Sequence, residues 1–481
     1  MADAIVMGAG PNGLVAANRL ADAGLEVLVL DAAGEPGGSV KTAELVEPGY
    51  RHDVFSSFYP LGAASPALAA LELDVRWRRA PLALAHPGAG GSCAVISRDL
   101  DETLVSLGPD AAAWLDLWNL WQRVGPALVE GIATPLPALR LARRVLPALP
   151  LLASSVRRVA ERFRGDAAKR LFAGNAMHAD LHAGSSFGGL YGFLLAMLGH
   201  EVGWPCVEGG SAGLTSALVR RLRGELSCGR RVERVLVRGG RVAGVRVGGE
   251  ELPARVVVAA IDAPQLFRLV GSELLPARLR LAARTFRWDW ATVKVDWTLD
   301  GPIPWSAEDA RRATVVHVAS SFGELGQQAR ELEAGLVPRE PFLVIGQYAL
   351  ADETRAPASK DTAWAYTHLP RGAGTDGVVE HVEARIEELA PGFGALVRGR
   401  HVLAPGDLEQ LNPSLNGGAV GGGTARLAPQ RILLARPETG IDGLYLGSAS
   451  VHPGPGVHGG PGWIAAGAAL GDMSRATAVA D

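Results

Sequence analysis

The opening segment, MADAIVMGAGPNGLVAANRLADAGLEVLVLDAAGEPGG, constrains the fold more than any other part of the chain. Ala4 to Met7 is a short apolar run that reads as a buried strand. Gly8, Gly10 and Gly13 follow as G-x-G-x-x-G. The first glycine permits a tight turn, the second lets backbone approach a pyrophosphate, and the third lets helix pack closely on strand. A helix with Leu14, Ala17 and Leu20 on its apolar side comes next, its N-terminal amides and dipole directed at phosphate. Glu26 to Leu30 is a second strand, with Asp31 at its carboxyl end, where an acid accepts hydrogen bonds from ribose hydroxyls. G-x-G-x-x-G alone is weak evidence, because glycine is a common turn former. Strand, turn, helix, strand and acid in register are a dinucleotide-binding unit.

At 481 residues the chain exceeds one simple core, so two or three domains are expected. A hydrophobic content of 48% with 20% charge belongs to a globular protein with a generous interior. The formal net charge of -3 supplies no whole-molecule attraction to nucleic acid, and no nucleic-acid partner is expected. Cys93, Cys206 and Cys228 lie far apart and form no C-x-x-C, which argues against a disulfide framework or redox dithiol and fits a reducing cytosol. The first strand begins too early for a signal or transit peptide, and no apolar run reaches the ~20 residues that span a bilayer. A cytoplasmic location is the expectation.

The glycine pair Gly37-Gly38 favours FAD over NAD. In a simple NAD dehydrogenase the second strand runs on into further βα units, whereas here the chain turns through Gly37-Gly38-Ser39-Val40-Lys41-Thr42. Two distant segments agree. Val232 to Val237, Gly239-Gly240 and Val242 to Val247 read as a hairpin with a glycine turn, and Ala254 to Ala260 as a further buried strand. Near the end, a strand at Gly443 to Leu446 runs into Gly447-Ser448-Ala449-Ser450. A glycine-rich crossing from His452 to Gly462 then enters a small-residue helix around Trp463 to Leu470. Strand, glycine loop and helix start make a second site suited to anions.

On these residues the chain resembles the phytoene desaturase-like branch of the FAD-dependent amine oxidase superfamily, including its bacterial and mitochondrial desaturase-like oxidoreductases. The matching stretches are GAGPNGLVAA, GGSVKTAELVEPGYRHD, GWPCVEGGSAGLTSALVRRL, VERVLVRGGRVAGVRV and GLYLGSASVHPGPGVHGGPGWIAA, in the family's order. Asp31 departs from the usual Glu, and Ala32-Ala33 replaces the basic residue that commonly follows it. The resemblance implies an α/β fold in which a Rossmann-like FAD-binding domain of glutathione reductase type is interleaved with an α+β substrate domain. The FAD domain would take residues 1–75, 205–270 and 405–481, and the substrate domain 76–204 and 271–404.

The same resemblance assigns the cofactor contacts. Gly8, Gly10, Pro11, Asn12 and Gly13 would cradle the pyrophosphate, Asp31 would keep the ribose, and Gly38 and Ser39 would approach the phosphates or ribityl chain. The backbone of Val232 would meet adenine. Gly447 and Ser448 would touch pyrophosphate and ribitol, and Gly456, Val457 and His458 the pyrimidine edge of the isoalloxazine. A helix N-terminus there stabilises the negative charge gained on reduction.

Lys294 is the foremost catalytic candidate. Alternation in Ala291 to Leu299 puts Val293, Val295, Trp297 and Leu299 on one face and Lys294, Asp296 and Thr298 on the other. Family lysines on such a strand hold a water near flavin N5; the other reading is a solvated lysine paired with Asp296. His52, Asp53 and Tyr59 follow the glycine pair and either orient substrate and move a proton or cap turns. No His, Cys and acid spacing resembles a metal-ligand set. Trp114, Trp118 and Trp121 recur at helical spacing, as core or as the lining of an apolar tunnel. The arginine-rich 140–170 region is a solvated face or a peripheral contact with anionic lipid.

The expected activity is removal of hydride from a carbon of a small or lipophilic, apolar substrate to flavin N5, leaving a double bond, with O2 or a quinone as acceptor. The rivals are an amine or amino-acid oxidase, and a non-enzymatic prenyl or lipid carrier of the same fold.

Overall fold

In the computed structural model, which describes residues 2–480, the opening strand Ala4–Met7 is buried throughout and occupies the centre of a five-stranded parallel sheet. Its neighbours are Val27–Leu30 on one side and Val256–Ala259 on the other; Glu225–Ser227 and Leu444–Leu446 complete the edges. Parallel strands covered on both faces must be apolar on both, which the sequences AIVM, VLVL and VVVA satisfy. Gly8 adopts a φ of +100°, and a Cβ at Gly13 would lie 1.9 Å from the Gly8 carbonyl oxygen. Only glycine lets the helix Pro11–Asp22 start so close to the strand that feeds it.

The C-terminal helix Gly460–Ala480 starts earlier and runs farther than the Trp463–Leu470 segment read from sequence. Its start lies against the first helix. A Cβ at Gly462 would stand 1.8 Å from the Asn12 carbonyl oxygen, and the Arg19 guanidinium stacks 4.1 Å over Trp463. Two helix N-termini therefore converge on one place. The strands Val232–Arg238, Arg241–Val247 and Glu250–Pro253 form a separate antiparallel sheet, beginning with the hairpin read from the sequence.

A seven-stranded mixed sheet makes the second half. Its order is Val397–Leu403, Ala291–Leu299, Asp361–Leu369, Leu343–Gln347, Ala313–Val318, Leu82–Pro87 and Cys93–Ser97. All nine residues of Ala291–Leu299 are buried, so the polar face of that strand points into protein rather than solvent. Helices Ala111–Gly131, Asp166–Met177 and Gly188–Glu201 cover this sheet through a core that includes Trp114, Trp121, Phe172 and Phe193. The Trp114 indole donates to His200 Nε2 at 2.9 Å, and Trp121 donates to Glu201 Oε2 at 2.6 Å. Trp118 packs edge-on against His200. The three tryptophans are core, not tunnel lining.

Candidate active site

One cavity of about 580 Å³ runs between the parallel sheet and the seven-stranded sheet. Near the parallel sheet its wall is mostly backbone: Gly8, Gly10, Pro11, Asn12, Gly38 and Ser39 line it. A Cβ on Gly38 would come 2.9 Å from the Cα of Gly10, so the two glycine turns touch and leave their amides open to the space. Asp31 and Val232 line the same part, with Arg230 and Arg231. The Asp31 carboxylate accepts from the Ala9 amide at 2.6 Å and the Ala33 amide at 2.8 Å, which fixes it at the cavity edge. Ser448, Gly456 and Val457 from the C-terminal loop complete this wall.

Three sequence expectations are corrected in detail. Gly13 supports the cradle from behind and does not line the cavity. Gly447 likewise lies off the cavity wall, where an added Cβ would come 3.1 Å from both Ala465 Cβ and Val258 Cγ1. His458 also faces inward. Its Nδ1 accepts from the Gly460 amide at 3.1 Å, so Nε2 carries the proton toward the Pro455 carbonyl, and its own carbonyl accepts from Ser65 at 2.6 Å. Burial holds the imidazole down at about 4, hence neutral. It caps the C-terminal helix and shapes the loop without touching the cavity.

Where the seven-stranded sheet forms the wall, side chains take over. Trp364 and Tyr366, two apart on one strand, stand parallel with ring centroids 5.9 Å apart and an interplanar angle of 6°. Trp204 and Tyr191 also line this chamber. A Cβ at Gly346 would lie 2.3 Å from the Trp364 ring, so that glycine reserves the indole's place. Lys294 opens on the same space, 4% exposed. Its Nζ meets both Asp296 oxygens, at 2.5 and 2.6 Å, and donates to the Asp53 carbonyl at 3.0 Å.

The other two catalytic candidates fare differently. His52 is corrected: it lies outside the cavity wall, with Nε2 against Thr362 Oγ1 at 2.5 Å and the Trp297 carbonyl at 3.1 Å. It ties two strands together. Tyr59 lines the cavity, but its hydroxyl donates to the Ser56 carbonyl at 2.6 Å. Burial, with the charge of Asp53 adding to it, pushes that phenol far up, so it stays protonated.

Groups the sequence reading passed over complete the chamber. His178 Nδ1 is 3.1 Å from His317 Nε2, and burial lowers His178 to about 4, leaving a neutral base in the cavity wall. Asp180, at a φ of +60°, and Asp289 also line it. Burial first, and the charge of Asp180 second, push Asp289 up to about 6. The alternation of Trp364, Tyr366 and His368 was visible in the sequence, yet nothing there said which sheet face met the cavity. Among the described residues no group of three His, Cys, Asp or Glu side chains is arranged to hold a metal ion.

The donor set fits FAD. Glycine turns in contact, where a Cβ on Gly38 would meet Gly10, two converging helix starts and a carboxylate at the cavity edge suit a diphosphate and its sugar. The fold and this site define a dinucleotide-binding oxidoreductase.

Comparison with known proteins narrows the class. Residues 6–71 match the model of an NAD(P)-binding Rossmann-like domain. The chain is 24% identical to the rat pyridine nucleotide-disulfide oxidoreductase domain-containing protein 2, over 98% of this chain and 94% of that protein. It is 26% identical to the neurosporene-forming phytoene desaturase of Rhodobacter capsulatus, over 95% of this chain and 91% of that one. Among solved structures it is similar in fold to cyclohexylamine oxidase from Brevibacterium oxydans, with a TM-score of 0.64, 17% identity, and coverage of 98% of this chain and 100% of that chain. Over nearly its whole length the chain is thus similar in sequence to oxidoreductases of the phytoene desaturase kind, and in fold to an amine oxidase.

Proposed function

We propose that this enzyme desaturates a carbon–carbon bond of a small or lipophilic organic molecule held in the aromatic chamber. The observation that carries the reading is the continuity of one cavity from the glycine cradle to the walls of Trp364, Tyr366 and Trp204. Residues 1–75, 205–270 and 405–481 would hold the cofactor and the intervening segments the substrate. FAD, when bound, supplies the hydride-accepting ring. The protein's part is geometry and charge. The glycine turns and helix starts would hold the diphosphate, Asp31 the ribose and the backbone of Val232 the adenine, with Ser39 and Ser448 lining the stretch where the ribityl chain would lie. The aromatic walls hold an apolar substrate and exclude water. Forming a double bond releases a proton along with the hydride. His178, kept neutral, is the base in the wall that can take it. Lys294 stands in the same wall with its three Nζ donors taken by Asp296 and the Asp53 carbonyl, so it lends the chamber shape rather than a water site.

Anaerobic bleaching of the bound flavin by a panel of polyenes, saturated acyl compounds and amines tests this. Polyene-precursor or acyl bleaching is the expected result. A protein that stays colourless with added FAD would overturn the reading in favour of a carrier.

An amine substrate is the second reading. Asp180 and Asp289 in the chamber wall would attract an ammonium group, and bleaching by amines alone would select it.

A peripheral lipid contact accompanies the first reading. Leu139, Leu146 and Leu149 are 73%, 57% and 50% exposed, beside the exposed Arg140 and Arg143. Such a mixed surface favours anionic lipid. Co-sedimentation with anionic but not neutral vesicles is the expected outcome. No helix among the described residues is long and apolar enough to cross a membrane.

A further inference from the structure

Lys294 is the only lysine or arginine, among the described residues, on the chamber side of the cavity; Lys41, Arg230 and Arg231 belong to segments around Gly37 and Asp31. Its charge is not free. The ammonium contacts both oxygens of Asp296, its neighbour two places along the same strand face, and both side chains are buried, at 4% and 0% exposure. Behind the pair, Arg355 is bound to Asp53 and lies 3.3 Å from Asp352. The block beneath the chamber therefore holds two cations against three carboxylates. Asp180 and Asp289 bring further acid to the wall, and His178 is neutral.

This balance bears on how the reduced cofactor is emptied. Electron transfer to dioxygen begins by making an anion, superoxide, and a fixed positive charge nearby stabilises that developing charge. A cation clasped by a carboxylate presents the field of a dipole, which falls off much faster with distance than that of a lone charge. We propose that the Lys294–Asp296 pair suppresses reaction with dioxygen, so that the enzyme works as a dehydrogenase delivering electrons to an organic acceptor of the quinone class. A quinone takes the two electrons and two protons of the reduced cofactor and leaves as the quinol, so no other co-reactant is needed. The parallel rings of Trp364 and Tyr366 suit such a planar molecule. The inference rests on the reading that flavin is reduced in this cavity. Asp296 acts here as a positioning residue, through the lysine it neutralises.

The test uses the FAD-loaded full chain, reduced by light under argon, then mixed with air-saturated buffer or a soluble benzoquinone. Wild-type protein should be reoxidised by the quinone at least about a hundredfold faster than by dioxygen at equal concentration. Asp296→Asn should raise the dioxygen rate by at least about tenfold, and adding Lys294→Met to it should remove that gain. An equilibrium readout that needs no turnover accompanies these rates. Sulfite, whose complex with oxidised flavin is anionic, should bind the Asp296→Asn protein about tenfold more tightly than wild type. A merely structural defect would not speed one acceptor and tighten an anion. Wild-type reoxidation by dioxygen as fast as by quinone overturns the proposal, as does an Asp296→Asn protein unchanged in both readouts. Should that variant not fold, the wild-type ratio decides alone. Failure of the chain to bind FAD or to photoreduce would instead refute the functional reading, before any acceptor is added.

Discussion

The two ends of the cavity are built from different materials. Near the parallel sheet the wall is backbone, exposed by glycines and aimed by helix starts. Near the seven-stranded sheet it is side chains drawn from the 178–204, 289–294 and 364–366 segments. Backbone recognition leaves a signature, because only certain residues let the main chain come so near a ligand. Side-chain recognition leaves none, since a tryptophan in a strand reads the same whether it faces a substrate or a core.

If that contrast is right, perturbations should separate by end. The largest effect is expected at Gly462, where a Cβ would sit 1.8 Å from the Asn12 carbonyl oxygen. Gly462→Val should abolish visible flavin absorbance in protein that circular dichroism shows to be folded, because it forces apart the two helix starts that meet at the cradle. At the other end, breaking the buried pair by Asp296→Ala should cost about 3–5 kcal/mol of stability, measured by denaturant unfolding, since an ammonium is left buried without its counter-ion. Replacing both partners by apolar residues of similar volume should cost less.

Acid should act on both ends together. Burial lowers His178, His200 and His458 to about 4, so each favours the folded state fully above its ordinary value of 6.5. That contribution is lost progressively as pH falls from 6.5 toward 4, by up to about 3 kcal/mol for each histidine. Thermal midpoints measured across this window should drop. His458→Asn should remove one share of the slope at the cofactor loop, and His178→Asn another in the chamber.

Two smaller perturbations separate the ends most sharply. Gly346→Ala pushes on the Trp364 ring and should cost about 1–3 kcal/mol by crowding, changing substrate affinity while FAD affinity holds. Asp31→Ala should do the reverse. It removes the acceptor of two amide hydrogen bonds and the proposed ribose partner, and should weaken FAD by about tenfold in titration calorimetry while leaving the chamber alone.

The same division governs what could be read beforehand. The strand, turn and helix at the N-terminus, the hairpin from Val232 and the strand before Gly447 were all legible, since each is a local pattern with a glycine or an alternation to mark it. His458 was expected at the isoalloxazine edge with no task given to its imidazole, and burial makes that side chain a helix cap. For His52 a catalytic and a structural role were both open; its place is fixed by Thr362, more than three hundred positions away. Lys294 could be identified but its partner's effect could not, since alternation gives the face and not what covers it. Asp180, Asp289 and His178 were invisible for a related reason. They gather only when distant strands and helices pack.

The parallel sheet also has a temporal side. Ala4–Met7 leaves the ribosome well before its neighbour Val256–Ala259 and the edge strand Leu444–Leu446. At ordinary elongation rates of about 5–20 residues per second, the nascent sheet waits roughly 20–90 s for its last strand. Through that interval an apolar strand edge stands open to chaperones or to other chains. The helix that closes the diphosphate cradle is later still. Flavin is therefore captured only after the helix that starts at Gly460 has been made, long after the central strand of the sheet.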